Sequence, residues 1–450
     1  MGKSLFGTDG IRAVAGEYPL TPPFLSALGR ALIGLLVEKG LPPRVLVGRD
    51  TRESGPWMER AVASGLLAAG GEAVSAGVIP TSAISFLTKT HGFGAGVVIS
   101  ASHNPFRDNG VKAFSPLGIK IPDEWEEELE GALARTLDSA AGEGAADVPF
   151  SKGLVEDYVE YLKARVRVDG GPKRIKVVLD CSNGASSAVA PRVFREMGFE
   201  VVPLHDAPDG TNINLGCGSL HPENLSAAVV ETGAAMGVAY DGDADRALFA
   251  DETGRLLTGD HTLFVEAHLM KETGRLRSDC VVATTMSNMG LERALGEIGL
   301  KLVRTQVGDK YVYEGMIARG ANLGGERSGH TIFLDDLPTG DGILTSLKMV
   351  EAMVARGRGL AQLVRDYREY PQTLLNVRVG RKVDFREFPE IGRAVETVRE
   401  RLGDDGRLDL RYSGTEPLAR VMVEAGDQEL VDSCARHVAD AVRKHLGDGT

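Results

Sequence analysis

The sequence is poor in cysteine, in aromatic residues and in long apolar runs. Its 450 residues include 4 cysteines, none in a CxxC pair, and 6% aromatic residues. Widely spaced cysteines argue against a disulfide framework or a zinc finger and favour reduced thiols. No apolar run reaches the length of about 18 residues that a membrane-spanning helix needs, and no apolar segment follows Met1. We therefore expect a cytoplasmic protein with no membrane partner.

Basic residues are also in the minority. The chain has 51 Lys and Arg against 63 Asp and Glu, a net charge of −12, which argues against a nucleic-acid partner. A small anionic substrate is still compatible with this charge if basic residues converge locally. Hydrophobic residues at 43% and charged residues at 25% are typical of a globular protein, and 56 glycines predict many tight turns.

Short apolar strands alternate with helix-like stretches, which predicts α/β units with buried strands. The order strand, helix, strand occurs three times, beginning near Arg44, Lys176 and Val281. Each round ends in a polar loop after an apolar strand, at residues 100–105, 241–246 and 325–330. Because open α/β sheets bind ligands beyond the carboxyl ends of their strands, we expect the chemistry at these three loops.

From about Tyr370 the order changes to strand, helix, two strands and helix, which predicts a small α+β unit. The Ala- and Gly-rich segment 139–151 is the expected first boundary. We therefore predict three similar mixed α/β domains and a C-terminal α+β domain, with limits at 1–150, 151–254, 255–369 and 370–450.

The loop after the second of these strands carries the strongest metal signal: Asp241, Asp243 and Asp245. An EF-hand is the rival interpretation, and Glu252 falls at its twelfth position. However, Arg246 stands where that loop needs glycine, and the flanking segments are strands rather than helices. Three carboxylates with room for an anionic ligand suit Mg²⁺ beside a phosphate. The alternative is an acidic surface turn, whose carboxylates would repel one another without a cation.

The loop after the first strand places Ser102 beside His103 and before an Asn-Pro turn. A serine exposed at a strand end is suited to act as a nucleophile or a phosphate carrier, although Ser, Asn and Pro together also mark ordinary loops. No Gly-x-Ser-x-Gly elbow of a serine hydrolase is present here.

Two other segments carry polar groups that suit a sugar phosphate. Residues 411–420 offer two guanidiniums, two hydroxyls and a glycine, which form either an anion cradle or a hairpin turn with charged flanks. Residues 324–330 combine a carboxylate, a hydroxyl and an imidazole, which suit sugar hydroxyls or belong to a plain polar loop. The segments 6–12, with Arg12, and 48–52, with Arg49 and Arg52, add basic groups near strand ends, with ion pairing at domain contacts as the alternative.

Taken together, four ordered motifs resemble the α-D-phosphohexomutases: Ser-Ala-Ser-His-Asn-Pro at 100–105, Asp-Gly-Asp-Ala-Asp-Arg at 241–246, Gly-Glu-x-Ser-Gly-His at 325–330 and Arg-x-Ser-Gly-Thr-Glu-Pro at 411–417. Within this family, segments 6–12, 286–290, 307–309 and 420–424 most resemble the bacterial members that act on glucosamine phosphate. The resemblance extends from about residue 5 to residue 425.

The resemblance implies four domains around a central cleft and the transfer of a phosphoryl group between O1 and O6 of a hexose phosphate, through a hexose 1,6-bisphosphate. It implies that Ser102 carries the phosphoryl group and that Ser102 and the three aspartates hold one Mg²⁺ per chain. Transfer of this kind depends mainly on positioning and on charge stabilisation. The product would feed amino-sugar nucleotide and cell-wall precursor synthesis, and the chain would be a monomer or a homodimer.

The resemblance also implies individual roles. The residues expected to act in catalysis are Ser102, Lys112, His330, Arg12, Arg246 and His103, with Lys112 and His330 as the general acid and base. Glu326 and Ser328 are expected to bind the sugar, with Gly308 and Asp309 also in the substrate site. The residues expected to hold the non-reacting phosphate are Arg411, Ser413, Gly414, Thr415 and Arg420.

Two positions depart from the family pattern of the glucosamine phosphate enzymes. Arg327 stands where they usually have Gln, and Tyr412 where Pro or Lys is more usual. Three alternatives therefore stay open: a family member acting on glucose or mannose phosphate, a non-catalytic sugar-phosphate-binding relative, and a metal phosphatase. A non-catalytic relative would be expected to lose Ser102 or an aspartate, and this chain retains all four.

Overall fold

The computed structural model describes residues 5–7, 9–136, 148–168, 175–413 and 417–447. Gly414 and Thr415, and most of the segment 139–151, lie outside these ranges. Within the described ranges the strands form four sheets. No helix in the same ranges is long and apolar enough to cross a membrane.

The first sheet has the strand order β1-β5-β4-β2-β3. Its strands are β1 Ile11–Val14, β2 Arg44–Arg49, β3 Glu72–Val78, β4 Ala95–Ile99 and β5 Asp108–Phe114. The helices of this part of the chain are α1 Pro22–Glu38, α2 Gly55–Ala68, α3 Thr81–Thr90, α4 Asp123–Thr136 and α5 Lys152–Ala164. All five residues of β4 are buried, as its uninterrupted apolar sequence predicts.

The second sheet has the order β10-β9-β8-β6-β7. Its strands are β6 Lys176–Asp180, β7 Glu200–Leu204, β8 Met236–Tyr240, β9 Ala247–Asp251 and β10 Leu256–Leu257, with helices α6 Ala190–Glu196 and α7 Glu223–Thr232. The third sheet has the order β12-β11-β13-β14. Its strands are β11 Cys280–Thr284, β12 Lys301–Thr305, β13 Leu323–Gly325 and β14 Thr331–Phe333. The helices around it are α8 Gly259–Glu272, α9 Met289–Glu297, α10 Asp309–Arg319, α11 Gly342–Arg356 and α12 Leu360–Leu363.

These three sheets share one topology. In each, a central strand (β2, β6 or β11) lies between two parallel neighbours, and the later neighbour (β4, β8 or β13) pairs on its other side with an antiparallel strand. The three polar loops follow β4, β8 and β13, which are therefore equivalent strands. The predicted repetition of one α/β unit is confirmed.

The fourth sheet is antiparallel, with the order β15-β17-β16. Its strands are β15 Gln372–Arg378, β16 Gly406–Tyr412 and β17 Leu418–Ala425, and its helices are α13 Pro389–Leu402 and α14 Gln428–Leu446. These helices and the buried side of the sheet enclose a separate apolar cluster. The C-terminal α+β unit predicted from the change of order at Tyr370 is therefore confirmed.

Helices α1 and α2 approach so closely that two glycines lie at their crossing. A Cβ atom added at Gly65 would be 1.8 Å from the carbonyl oxygen of Ser26, and one added at Gly29 would be 2.3 Å from that of Val62. Neither glycine needs an unusual backbone conformation, so close helix packing alone requires them. Both lie beneath the apolar cluster that supports the first sheet.

Gly65→Ala should therefore push the two helices apart and destabilise the protein by about 1–3 kcal/mol. Gly34→Ala is the matched control, because Gly34 is also in α1 but a Cβ there meets nothing within 4 Å. That change should leave stability unchanged or raise it by up to about 1 kcal/mol, through helix propensity. Thermal unfolding midpoints of both variants test this, and equal midpoints would contradict it.

Candidate active site

The loop that carries Ser102 is folded tightly against the end of β4. Ser100 Oγ donates to Asp50 Oδ2 at 2.6 Å and accepts the backbone N–H of Ser102 at 2.9 Å. Ser102 has a left-handed backbone, with φ of 52°, and its side chain is buried. Such a conformation is uncommon for residues other than glycine and persists only where the surroundings enforce it.

Arg52 enforces it. This fully buried guanidinium pairs with Asp50 at 2.9 Å and donates to the backbone carbonyls of four loop residues: Ser102 at 3.0 Å, Asn104 at 2.9 Å, Asp108 at 3.0 Å and Pro105. Burial raises the pKa of Asp50, while the charge of Arg52 opposes that rise. The five donors of a guanidinium make arginine suited to bind several carbonyls at once. Arg52 therefore fixes the loop that presents Ser102.

Asp241, Asp243 and Asp245 lie directly opposite Ser102. One carboxylate oxygen from each is within 4.8 Å of the others, and all three side chains are buried. Ala244, with φ of 58°, turns the chain between the last two of them. The Ser102 hydroxyl donates to Asp241 Oδ2 at 2.6 Å, which joins the predicted carrier to the predicted metal cluster.

The cluster has the properties of a cation site. Oδ1 of Asp243 and Oδ1 of Asp245 are buried and have no hydrogen-bond partner among the described residues. Burial, and then the charges of Asp245 and Asp243, raise the pKa of Asp241 well above its usual range. A divalent cation would relieve this repulsion and occupy the two free oxygens, and an all-oxygen donor set suits Mg²⁺. The loop lies between β8 and β9, so the EF-hand alternative, which needs helices on both sides, is wrong.

Lys112 supplies positive charge at the edge of this cluster. Its Nζ is 2.9 Å from Asp243 Oδ2 and 3.0 Å from Asp9 Oδ2, and the side chain is 1% exposed. Burial alone would lower the pKa of Lys112, but the charges of Asp243 and Asp9 outweigh it and raise the pKa. Lys112 is therefore an ammonium group at neutral pH, suited to stabilise negative charge rather than to act as a base.

Asp9 and Lys120 belong to the same network, and the sequence did not single them out. Lys120 Nζ bridges Asp9 Oδ1 at 2.5 Å and Asp309 Oδ2 at 2.6 Å. Burial raises the pKa of Asp9, but the charges of Lys112, Lys120 and Arg12 prevail and hold it far below its usual range. Asp9 lies inside segment 6–12, one of the segments that resemble the family, and this position could have marked it as a site residue. Nothing in the sequence marks Lys120.

His103 and Arg246 form a polar pair beside Ser102. Arg246 donates through Nη1 to His103 Nδ1 at 2.7 Å, and Ser102 Oγ is 3.3 Å from the same nitrogen. Burial, followed by the charges of Arg246 and Arg12, lowers the pKa of His103 to about 4. His103 is therefore neutral at physiological pH. Arg12 pairs with Asp9 in the same basic region.

The resemblance implies that Arg49 lines the same cleft as Arg12 and Arg246. Its guanidinium donates to Glu59 of α2 at 3.0 Å, an ion pair within the first unit rather than at a domain contact.

His330 is buried between two carboxylates. Its Nδ1 lies 3.7 Å from Asp245 Oδ2, its Nε2 lies 3.8 Å from Asp309 Oδ2, and Gly340 N donates to Nε2 at 2.9 Å. In the neutral ring the proton is therefore on Nδ1, facing Asp245. Burial opposes protonation, yet a hydrogen bond and the charge of Asp245 raise the pKa of His330. His330 therefore lies between Asp245, in the loop of the three aspartates, and Asp309.

The side chains of the predicted sugar-binding loop, residues 324–330, differ in their burial and in their partners. Glu326 is buried, and its Oε1 accepts the backbone N–H of Gly308 at 3.1 Å, whereas the side chain of Ser328 is exposed. Arg327 turns away from both, donating to Asp260 Oδ2 at 3.1 Å and to Glu369. Its guanidinium is therefore already engaged by two carboxylates.

The fourth unit carries the predicted phosphate residues on neighbouring strands. Arg411 of β16 lies directly opposite Arg420 of β17, and Arg420 Nη2 donates to Ser413 Oγ at 3.3 Å. Like charges directly opposite each other destabilise a sheet. Asp409, 3.0 Å from Arg411, offsets part of this repulsion, and an anion bound between the two guanidiniums would offset more. Tyr412 stacks on Phe385 with ring centroids 4.3 Å apart and takes part in packing. Arg411 reaches the third unit through a contact to Met286 Sδ at 3.0 Å.

Family models match in four consecutive blocks that cover most of the chain. They are described as phosphoglucomutase/phosphomannomutase alpha/beta/alpha domain I at residues 3–139, domain II at 156–254, domain III at 258–370 and the C-terminal domain at 374–441.

Similar full-length proteins agree. The chain is 48% identical to a phosphoglucosamine mutase of Koribacter versatilis, covering 99% of this chain and 98% of that protein, and 45% identical to one of Solibacter usitatus, covering 100% of both. The chain therefore belongs to the phosphoglucomutase/phosphomannomutase family, the α-D-phosphohexomutases.

Solved structures share the fold. A phosphoglucomutase/phosphomannomutase family protein of Burkholderia thailandensis superposes with a TM-score of 0.80 at 24% identity, covering 99% of this chain and 98% of that one. An Aspergillus fumigatus N-acetylphosphoglucosamine mutase, solved with GlcNAc-6P and magnesium, gives a TM-score of 0.68 at 20% identity, covering 98% of this chain and 96% of that one.

Asp243→Asn should weaken Mg²⁺ binding at least about tenfold, or about 1.4 kcal/mol, because it removes one of three clustered charges. Asp108→Asn is the control, since that carboxylate accepts from Asn104 at 2.8 Å on the serine loop but lies outside the cluster. Isothermal titration with MgCl₂ measures both. Unchanged affinity in the first variant would show that the cation binds elsewhere.

Proposed function

We propose that the chain is a phosphoglucosamine mutase, which interconverts glucosamine 6-phosphate and glucosamine 1-phosphate through a phosphoserine enzyme and a hexose 1,6-bisphosphate. The observation that carries this proposal is the position of Ser102, buried in a strained loop 2.6 Å from an aspartate of the three-carboxylate cluster. Support comes from full-length relatives that bear this name at 43–48% identity. We also propose that the protein acts in the cytoplasm. Its proposed domain limits are 1–150, 151–254, 255–369 and 370–450.

In this proposal Ser102 holds the phosphoryl group in the resting enzyme, facing Asp241, Asp243 and Asp245. Those residues would hold Mg²⁺, which when bound offsets the charge of the phosphoserine and the charge that develops on transfer. Arg246 and the Lys112 ammonium lie on either side of the same cluster. They stabilise the transferring group without rearrangement, which is how much of phosphoryl-transfer catalysis is achieved.

Proton movement accompanies each transfer. Lys112 is the proposed acid by resemblance to the family, although the carboxylate neighbours that keep it protonated also make it a weak proton donor. His330 is held through Nε2 by Gly340 and through Nδ1 toward Asp245, so its first role is to orient Asp245 and Asp309. It can accept a sugar proton only if substrate binding releases Nε2 from Gly340.

Substrate groups would bind at both sides of this centre. Glu326 and Ser328 would bind sugar hydroxyls, with Gly308 and Asp309 beside them, while Arg411, Ser413 and Arg420 would hold the non-reacting phosphate together with Gly414 and Thr415. The bisphosphate must turn around so that either phosphate can face Ser102. A metal phosphatase would instead release inorganic phosphate from glucosamine 6-phosphate, so an assay for free phosphate separates the two activities.

Ser102→Ala should retain the fold and lose at least about a hundredfold in turnover, because no covalent carrier remains. Intact-mass measurement of the active wild type should show one phosphoryl group that disappears with excess monophosphate. Ser115→Ala is the control, since its buried Oγ has no hydrogen-bond partner within the described ranges. Near wild-type turnover in Ser102→Ala would remove the carrier assignment.

Arg327→Gln should change the ratio of kcat/KM for glucosamine and glucose phosphates by less than about threefold, under ~1 kcal/mol. The reason is that the guanidinium is held by Asp260 and Glu369, away from Glu326 and Ser328. Ser328→Ala in the same loop should lower kcat/KM for both sugars. A tenfold or larger gain for the amino sugar in Arg327→Gln would show that Arg327 faces the ligand and would favour the glucose or mannose phosphate alternative.

A further inference from the structure

A second group of metal-ligating side chains lies at the carboxyl end of the second sheet. Asp180 ends β6, His205 follows β7 directly, and Cys217 lies in the loop that leads toward α7. One ligand atom from each lies within 4.8 Å of the others. Asp180 and Cys217 are buried, and the ring of His205 is partly exposed.

The distance between His205 and Asp180 is compatible with a shared metal ion. His205 Nδ1 is 3.1 Å from Asp180 Oδ1, close to the ~3.3 Å edge of a tetrahedron with metal–ligand bonds of about 2.0 Å. Yet this nitrogen is buried and has no hydrogen-bond partner of acceptable geometry in the described part of the chain. A ring nitrogen that approaches a carboxylate without a hydrogen bond is suited to share a cation with it.

The backbone around the group orients its ligands. Asp180 Oδ1 accepts the N–H of Ser182 at 3.0 Å, and Oδ2 accepts that of Gly218 at 2.9 Å, so each oxygen keeps a lone pair for a ligand bond. Hydrogen bonds of this kind fix the ligands of metal sites. His205 has a left-handed backbone, with φ of 46°, a conformation that costs free energy in a residue other than glycine.

We propose that Asp180, His205 and Cys217 form a zinc-binding site with three protein ligands. A carboxylate, an imidazole and a thiolate together suit Zn²⁺ and similar borderline-soft ions rather than Mg²⁺. The three-aspartate cluster, made only of oxygens, has the opposite preference. The two sites therefore differ in both residues and ion.

Zinc at this position would restrain the segment that supports the loop carrying Ser102. Asn214, three residues before Cys217, donates through Nδ2 to the carbonyl oxygens of Ser102 at 2.9 Å and Asn104 at 3.0 Å. An ion that fixes Cys217 also restrains this support.

The test uses the full chain with excess Mg²⁺ and Co²⁺ as a spectroscopic probe for zinc. A cobalt–thiolate bond gives a near-ultraviolet charge-transfer band that oxygen ligands cannot produce. We expect one such band per chain, removed by one equivalent of Zn²⁺ and absent in Cys217→Ser. Cys280→Ser, a buried cysteine of β11 outside the group, should keep the band, as should Asp243→Asn at the magnesium cluster.

His205→Asn provides a second variant, because asparagine also tolerates the left-handed backbone. It should weaken Co²⁺ and Zn²⁺ binding at least tenfold while leaving turnover with Mg²⁺ within twofold of the wild type. The proposal is overturned if the wild type shows no thiolate band, if the band survives Cys217→Ser, or if His205→Asn binds Co²⁺ as tightly as the wild type.

Discussion

Three buried aspartates beside a serine create a repulsion that the surrounding structure must balance. Carboxylates about 4 Å apart repel by several kcal/mol when partly removed from water. Two cations offset the repulsion between the aspartates. The Nζ of Lys112 lies 2.9 Å from Asp243, and the guanidinium of Arg246 lies 3.9 Å from both Asp241 and Asp245. Asp9, Lys120 and Asp309 continue the alternation of charges away from the cluster. The network contains acids and bases from all three α/β units.

Sheet topology makes this concentration of charge possible. The metal loop follows β8 and the serine loop follows the equivalent strand β4, while Lys112 lies on β5 directly opposite Val98 of β4. Register therefore places the lysine beside the serine loop although ten residues of chain separate it from Ser102. Repeating one unit three times supplies three such strand ends, and each has acquired different side chains.

Some of this could be predicted from the sequence and some could not. The fold class, the repetition and the three loops are visible because apolar strands followed directly by polar clusters are local features. The role of Arg52 is not visible in the sequence. It depends on four backbone carbonyls between residues 102 and 108, which only the folded chain brings to this side chain. Lys120 is missed for the same reason, since its partners Asp9 and Asp309 both lie more than a hundred residues away in the sequence. The outward direction of Arg327 agrees with simple alternation along the loop, but its partners Asp260 and Glu369 are again distant in sequence.

The carbonyl oxygen of Ser102 is held from two sides, by Arg52 of the first unit and by Asn214 of the second. A phosphorylated serine carries about −1.5 to −2 charges, and a free one carries none, so a carrier residue meets two very different electrostatic conditions in each cycle. Arg52 and Asn214 donate to the backbone carbonyl of Ser102 rather than to its hydroxyl. Their hydrogen bonds can therefore form whether or not the serine is phosphorylated. In the proposed cycle, the Ser102 side chain would gain and lose a phosphoryl group while the backbone beneath it keeps one conformation. Little of the reorganisation energy of such a cycle would then fall on the protein backbone.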